Sequence, residues 1–357
     1  MKRYMYVAGE PSRQDLQELS GLGITGILGP ASMGERAREA GLELYACGGA
    51  FPAGDHPPQE DLALDIRGRR QLWFGSCCPN HQPTRERNLE GYRAMAQAPG
   101  VSGLVMDGAR FSSPASSLDL DSVFTCFCPR CMGKMDALGL DPERIRAGVS
   151  ALYAWLREGG ERPREWRGVH QWLDFRRICA GEHLKDFACI AREEGLAAGA
   201  FFFPPSLGRL VGQSYRDMGD SLDVIFPMLY PAYPEKPGDP GTACLNWELF
   251  AMGRLLTLGG AMGHSEALRA LSGWMGVELP PPAQLRREVP RALVGKETAR
   301  AIREGKPAQI VPILQLDDPK LEASMAQAEA AGAQALAFFA WEPALPGNWK
   351  QVLARTR

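Results

Sequence analysis

The feature that most constrains the fold is an alternation, repeated eight times along the 357 residues, of short apolar runs and longer amphipathic stretches. Each run is almost continuously apolar, as expected for parallel strands that are buried on both faces. The amphipathic stretches between them are typical of helices that cover such strands. The predicted strands span residues 3–8, 24–28, 42–47, 101–106, 197–203, 222–229, 309–314 and 335–341.

Eight strand and helix pairs predict an α/β fold, the (β/α)8 TIM barrel, with an open doubly wound α/β sheet carrying a helical insertion as the alternative. We expect one barrel over residues 1–357, with long loops after strands 3, 4 and 6. Residues 108–165 form the predicted insertion after strand 4. Since barrel sites are built on the loops that follow the carboxyl ends of the strands, these loops are where function is expected.

Charge and composition narrow the function classes. The chain has 40 basic and 42 acidic side chains, which leaves no concentrated positive charge for nucleic acid or an anionic membrane. The first apolar run is broken by Gly9 and Glu10, and no run reaches the roughly 18 residues of a membrane span, so we expect a cytoplasmic protein. No strand is followed by a glycine-rich nucleotide loop. Nine cysteines, locally crowded, favour metal ligands or free thiols over a disulfide framework.

The most specific local motif is a trio of thiols after the fourth strand, Cys126, Cys128 and Cys131. The C-x-x-C spacing lets a short turn place two thiolates on one tetrahedral ion, which predicts zinc or another thiophilic metal. Three candidates for a fourth ligand lie in the loop after the third strand: Cys77, Cys78 and His81. Four protein ligands would make the zinc a structural clip between two loops, whereas three would leave a position open for chemistry. The alternative is a group of unliganded loop thiols.

Asp107 follows directly on the fourth strand, and Arg110 comes three residues later. A carboxylate at the carboxyl end of a barrel strand is directed into the mouth of the barrel, where an arginine can hold it ionised. This arrangement suits a nucleophile or an electrostatic stabiliser, although an Asp-Gly turn with a rim salt bridge explains it as well.

Cleavage of a glycosidic bond commonly needs a second carboxyl group. The candidates are Glu342, which closes the eighth strand, and Asp317, which follows the seventh. Aromatic faces at a barrel mouth suit sugar rings. The residues predicted to bind substrate are Arg110, Tyr230, Tyr233, Trp341, Trp73 and Gln315.

Four segments carry a family resemblance: residues 103–111 around Asp107 and Arg110, residues 127–131 with Cys128 and Cys131, residues 172–176, and residues 223–231 with Tyr230. Together they resemble the glycoside hydrolase-like barrels, a mostly bacterial group distantly similar to the α-amylase and α-galactosidase groups. The resemblance covers roughly residues 1–345. It implies a (β/α)8 barrel acting on carbohydrate, with Asp107 in the position of the nucleophile.

The chain departs from that family at the fifth and sixth strands, which supply the acid in the relatives and end here without a carboxyl group. Three hypotheses follow. The first is a glycoside hydrolase in which Asp107 works with Glu342 or Asp317 on a sugar or oligosaccharide. The second is a barrel that binds sugars without cutting them. The third is a zinc-thiolate enzyme, for instance one that transfers an alkyl group to a thiol.

Overall fold

The computed structural model describes residues 1–117, 119–234 and 244–356 of the chain. Eight parallel strand positions follow one another along it. The strands are β1 (Lys2–Val7), β2 (Gly26–Gly29), β3 (Glu43–Gly49), β4 (Val101–Asp107), β5 (Ala197–Phe202), β6 (Val224–Pro227), β7 in two parts (Gln309–Ile310 and Ile313–Gln315) and β8 (Ala335–Trp341).

The sheet closes on itself. Strands β1 to β6 pair in sequence, β8 pairs with β1, and the two parts of β7 pair with β6 and β8 respectively. The break in β7 falls at Val311 and Pro312, because proline has no N–H to donate to the ladder. A bridge between Met228 and Ile313 joins the second part of β7 to β6. The predicted (β/α)8 barrel is confirmed.

Helices surround the strands. They are α1 (Arg13–Gly21), α2 (Gly34–Glu39), α3 (Gln82–Ala96), α4 (Pro129–Ala137), α5 (Pro142–Arg157), α6 (Arg167–Glu193), α7 (Pro205–Val211), α8 (Tyr215–Met218), α9 (Leu245–Leu258), α10 (His264–Met275), α11 (Pro282–Leu285), α12 (Ala292–Glu304), α13 (Leu321–Ala330) and α14 (Trp349–Arg355). Helix α1 begins with a capping box, in which Ser12 Oγ accepts from the Asp15 N–H and Asp15 accepts from the Ser12 N–H. In the part of the chain that the structure describes, no helix is long and apolar enough to cross a membrane.

Every second strand residue points into the barrel, and large side chains fill it. Tyr4 packs edge-on against Tyr45 and Phe226, with ring centroids 5.6 and 6.0 Å apart. Gly103 makes room for this layer, because a Cβ there would lie 2.6 Å from the Tyr45 ring. The interior is therefore a packed core, and the next inward residues toward the carboxyl ends form the floor of the mouth.

The long loops after β3, β4 and β6 are confirmed. Residues 108–165 contain two short 3-10 turns together with helices α4 and α5, and their treatment as a single insertion stays a prediction. The loop after β3 carries a short antiparallel pair, Ala63–Leu64 with Arg70–Gln71. The Phe127 N–H donates to the Leu64 carbonyl at 2.8 Å, so the two loops are joined next to the cysteine motif.

Candidate functional site

The structure brings together four buried thiols from two loops: Cys78, Cys126, Cys128 and Cys131. Their sulfur atoms all lie within 4.8 Å of one another. Cys78 Sγ lies 3.6 Å from Cys126, 3.7 Å from Cys128 and 3.5 Å from Cys131. Cys78 comes from the loop after β3, and the other three come from the loop after β4. We call these four residues the cysteine cluster.

The spacing of the sulfur atoms fits one tetrahedral metal ion. Four thiolates held about 2.3 Å from one zinc ion lie about 3.8 Å apart, close to the measured separations and far beyond a disulfide bond. Cys128 is the N-cap of α4 and Cys131 lies in its first turn, where the helix dipole favours thiolates. Asn80 Nδ2 also donates to Cys131 Sγ at 3.2 Å. The residues present therefore fit a structural zinc site with four sulfur ligands.

Two of the candidate fourth ligands lie outside the cysteine cluster. The His81 ring is engaged on both nitrogens, with Nε2 2.9 Å from Asp61 and Nδ1 2.8 Å from Thr84 Oγ1. Cys77 also bonds to Thr84, and burial raises the pKa of its thiol. Because adjacent side chains in this loop point in opposite directions, the prediction of Cys77 as a ligand is corrected in favour of Cys78.

Asp107 lies at the end of β4, on the floor of the mouth, with part of its surface exposed. Burial raises its pKa to about 6, while Arg110 and a hydrogen bond from the Gly108 backbone oppose the shift. Its charge acts in turn on Tyr6, Cys47 and Tyr230, whose pKa values are raised by burial first and by Asp107 among the further causes. A carboxyl group that titrates near neutral pH in a ring of phenols and a thiol is typical of a functional site.

Arg110 is buried between two aromatic rings. Its guanidinium lies 4.7 Å from the Phe203 ring centroid and 5.5 Å from that of Phe74, and Nη1 donates to the Phe111 carbonyl at 3.1 Å. Burial lowers the Arg110 pKa, and the charges of Glu248 and Asp107 oppose that shift. Arg110 therefore balances the charge of Asp107 from a fixed position.

Two tryptophans predicted to bind sugar lie elsewhere. Trp341 is 5% exposed and packs between the barrel and its outer helices, because the β1–β8 pairing advances from Met5/Phe338 to Val7/Trp341 and so turns it outward. Trp73 is 2% exposed and packs in the apolar cluster that contains Cys78. Both predictions are corrected, since neither indole has a free face at the mouth.

The two predicted tyrosines lie next to each other, with Tyr230 buried and Tyr233 half-buried, and their role in sugar binding stays a prediction. The Tyr230 ring stacks on Phe339 with centroids 5.1 Å apart, and Tyr233 lies 6.5 Å from Tyr230. Tyr233 is partly buried, and its backbone is fixed by Asn246, which donates to the Tyr233 carbonyl and accepts from its N–H.

The candidate second carboxyl groups differ in position. Glu342 is exposed and follows the outward-facing Trp341. Asp317 accepts a 2.7 Å hydrogen bond from Gln315 Nε2, and both line a cavity of about 580 Å³ beside the end of β7. That volume lies within the usual range for small-ligand sites, about 300–1,000 Å³. No other carboxyl group in the described parts of the chain is among the charges that act on Asp107.

Four residues of the mouth are missing from the sequence-based prediction: Tyr6, Cys47, Phe339 and Phe74. The first three occupy inward positions in β1, β3 and β8, and the two-residue period counted from the interior layer would have identified them. Phe74 is 51% exposed, with φ of 51°, and lies against Gly108 and Arg110 at the rim. No sequence signal separates it from the neighbouring Trp73.

Comparisons with known proteins relate this fold to sugar enzymes. A β-galactosidase from the psychrophilic Marinomonas ef1 matches with a TM-score of 0.62 at 12% identity, over 100% of this chain and 59% of its own. The catalytic domain of a β-amylase from Paenibacillus polymyxa matches with a TM-score of 0.58 at 12% identity, over 99% and 98%. A β-galactosidase from G. stearothermophilus matches with a TM-score of 0.53 at 12% identity, over 95% and 51%.

At 12% identity these likenesses show the TIM-barrel fold alone. The chain spans only about half to three fifths of the two β-galactosidases. No protein-family model matches the sequence, and no curated protein does.

Proposed function

We propose that this chain is a carbohydrate-active barrel enzyme, similar to glycoside hydrolases, whose reaction centre is Asp107. The observation that carries the proposal is the position of this one carboxyl group, half-buried at the end of β4 with a pKa of about 6. A group that titrates near neutral pH can both give and take a proton during a reaction.

The raised pKa changes the role expected for Asp107. In glycosidases the carboxyl group with the raised pKa is the acid, and the ionised one is the nucleophile or base. Asp107 therefore fits proton donation to the leaving oxygen better than attack on the anomeric carbon. Asp317 is the better candidate for the second carboxyl, because it lines the cavity beside β7 together with Gln315, which donates a hydrogen bond to it.

Aromatic and polar side chains around Asp107 support a sugar as the substrate. Exposed Phe74 offers a ring face at the rim, and half-buried Tyr233, which lies beside the buried Tyr230, offers a second aromatic surface. Gln315 contributes a buried amide whose Oε1 has no protein partner and could accept from a hydroxyl group. Arg110 would hold the charge on Asp107 in place.

For the cysteine cluster we propose a structural zinc ion held by Cys78, Cys126, Cys128 and Cys131. When bound, the ion would connect the loop after β3 to the loop after β4, since each loop supplies at least one of its ligands. Four buried sulfur ligands complete a tetrahedral shell, and this favours a clip over a zinc-thiolate enzyme with an open position.

The test is a screen for cleavage of α- and β-linked disaccharides and nitrophenyl glycosides, followed by a pH profile of kcat/KM on the best substrate. If Asp107 is the acid, kcat/KM falls as pH rises through about 6, because the proton it must donate is lost. A profile that rises through that pH would make Asp107 a nucleophile or base instead. A profile that is flat from pH 5 to 7 would remove it from the reaction.

A second candidate is a barrel that binds sugars without cutting them. It is favoured by the lack, among the described residues, of another carboxyl group acting on Asp107. It predicts calorimetric binding of an oligosaccharide that stays intact for days in the presence of the protein. Any enzyme-dependent product from a bound sugar would exclude it.

A further inference from the structure

Arg176 of α6 is a fully buried arginine that has no carboxylate partner among the residues the structure describes. Its exposure is 0%, and its guanidinium donates only to backbone carbonyls. Nε lies 3.0 Å from the Thr125 oxygen and Nη1 3.3 Å from the Ser112 oxygen, and Nη2 bonds to Val123. A buried charge without a counter-charge is strongly unfavourable, so an anion is expected nearby.

The candidates for that anion are the sulfur atoms of the cysteine cluster. Thr125, whose carbonyl accepts from both Nε and Nη2 of Arg176, directly precedes Cys126 in the chain. Trp172, which lies against the guanidinium, packs in the same buried cluster as Cys126 and Cys131. One divalent ion with four thiolates has a net charge of −2. The guanidinium is held beside this charge by Trp172, whose ring centroid lies 3.9 Å away.

We propose that Arg176 is the counter-ion of the metal–thiolate centre, and that its positive charge is required for tight binding of the metal. The inference rests on the zinc site proposed above, but it assigns a role to a residue that touches neither the metal nor the mouth. Arg176 is a positioning residue, because it acts on the ion through charge and through the Val123–Thr125 backbone.

The structure supplies a matched control for the charge. Trp172 Nε1 donates to the same Thr125 carbonyl at 3.0 Å, so Trp172→Phe removes one hydrogen bond to that backbone, keeps an aromatic ring against the guanidinium and removes no charge. Arg176→Gln removes the charge and keeps a buried donor. Arg176→Lys keeps the charge and removes the planar fork of donors.

The experiment measures the zinc affinity of the full chain by competition with a chromogenic chelator, with cobalt(II) absorption as a check that four thiolates bind. Because opposite charges interact strongly in a buried site, Arg176→Gln should weaken zinc binding at least about tenfold. Arg176→Lys and Trp172→Phe should each stay within about threefold of the wild type.

The inference is overturned if Arg176→Gln binds zinc as tightly as the wild type, or if Trp172→Phe weakens binding as much as Arg176→Gln does. Should Arg176→Gln fail to fold, Arg176→Met decides, because it keeps an apolar stem and removes the charge. A folded methionine variant that binds zinc as tightly as the wild type would contradict a role for charge. A wild-type protein that binds no zinc would remove the metal centre itself, whereas a zinc-bound wild type with insensitive variants would remove only the role of Arg176.

Discussion

The cysteine cluster and the mouth around Asp107 lie on loops at the same end of the barrel but differ in how complete they are. The cysteine cluster is closed, with four buried sulfur atoms within 4.8 Å and no carboxylate or water-facing position among them. The mouth is open, with one half-buried carboxyl group, partly exposed aromatic rings and a cavity beside β7. A metal site whose ligand positions are all filled by protein atoms stabilises the fold. A site with polar groups that have no protein partner can instead bind a substrate and react with it.

The difference also appears in how each charge is balanced. Asp107 has Arg110 as its cation, yet burial still raises its pKa to about 6, so it gains and loses a proton at a pH close to neutral. Thiolates on a metal ion cannot take part in such exchange without losing the ion. Under the proposed function, the cysteines therefore stabilise the fold and Asp107 carries the chemistry.

The largest expected effect is on stability at the cysteine cluster. Cys128→Ser should lower the free energy of unfolding by about 5 kcal/mol, because structural zinc contributes on the order of 10 kcal/mol and serine is a poor ligand. Urea unfolding with metal analysis measures it. Cys77→Ser is the control, since its thiol lies outside the cluster and the change should cost less than about 1 kcal/mol. Equal losses in both variants would contradict the assignment of ligands.

The next effect is on turnover at the mouth. Asp107→Asn should reduce kcat/KM about a thousandfold on any sugar that the wild type cleaves, because the amide has no acidic proton to give. Asp55→Asn, an exposed carboxyl in the loop after β3, is the control and should leave kcat/KM unchanged. An Asp107→Asn variant that keeps full activity would place the chemistry elsewhere, with the cysteines as the first alternative.

The same substitution should stabilise the fold at neutral pH. The pKa of Asp107 is about 6 in the folded chain, against 3.8 for an ordinary aspartate exposed to water, so folding favours the protonated form. Its contribution to stability is full below pH 3.8 and is lost as pH rises through 6. The loss corresponds to about 3 kcal/mol at most, and less because the group is partly exposed to water. Urea unfolding should show Asp107→Asn more stable than the wild type at pH 7 and equal at pH 4, and a gain of the same size at both would contradict a buried charge.

The smallest effect is at the rim. Phe74→Ala should raise KM about tenfold with little change in kcat, because an exposed ring contributes to binding of the sugar and not to the reaction. Leu72→Ala is the control, as Leu72 is similarly exposed in the same loop. A loss of stability in Phe74→Ala without a change in KM would show that the ring packs on Arg110 for structural reasons alone.

The barrel could be predicted from the sequence because each buried parallel strand is a continuous apolar run, and eight such runs leave few ways to cover them. The break within β7 could not be predicted in the same way, since Pro312 interrupts the strand without changing its apolar pattern. The site was predictable only in part. Spacing predicted Cys128 and Cys131 as ligands, but the choice between Cys77 and Cys78 depends on which way an irregular loop turns.

At the mouth the sequence indicated Asp107, because a carboxylate directly after an apolar strand can be recognised from the local sequence pattern. It misplaced Trp341, because one additional residue in β8 relative to β1 reverses which face the side chain takes. The sequence also favoured Trp73 over its neighbour Phe74. In the structure Trp73 is buried in the cluster that contains Cys78, whereas Phe74 is exposed at the rim of the mouth. Which of these side chains is buried and which is exposed depends on tertiary packing, and a local sequence pattern contains no information about that packing.

The central claim is that the cysteine cluster is a closed structural centre and that reaction chemistry lies at Asp107. X-ray absorption at the zinc edge on protein purified without chelator tests it most directly. We predict one zinc per chain with four sulfur neighbours at about 2.3 Å and no oxygen in its shell. Three sulfur neighbours and an exchangeable oxygen would contradict it and would move the chemistry to the cysteines.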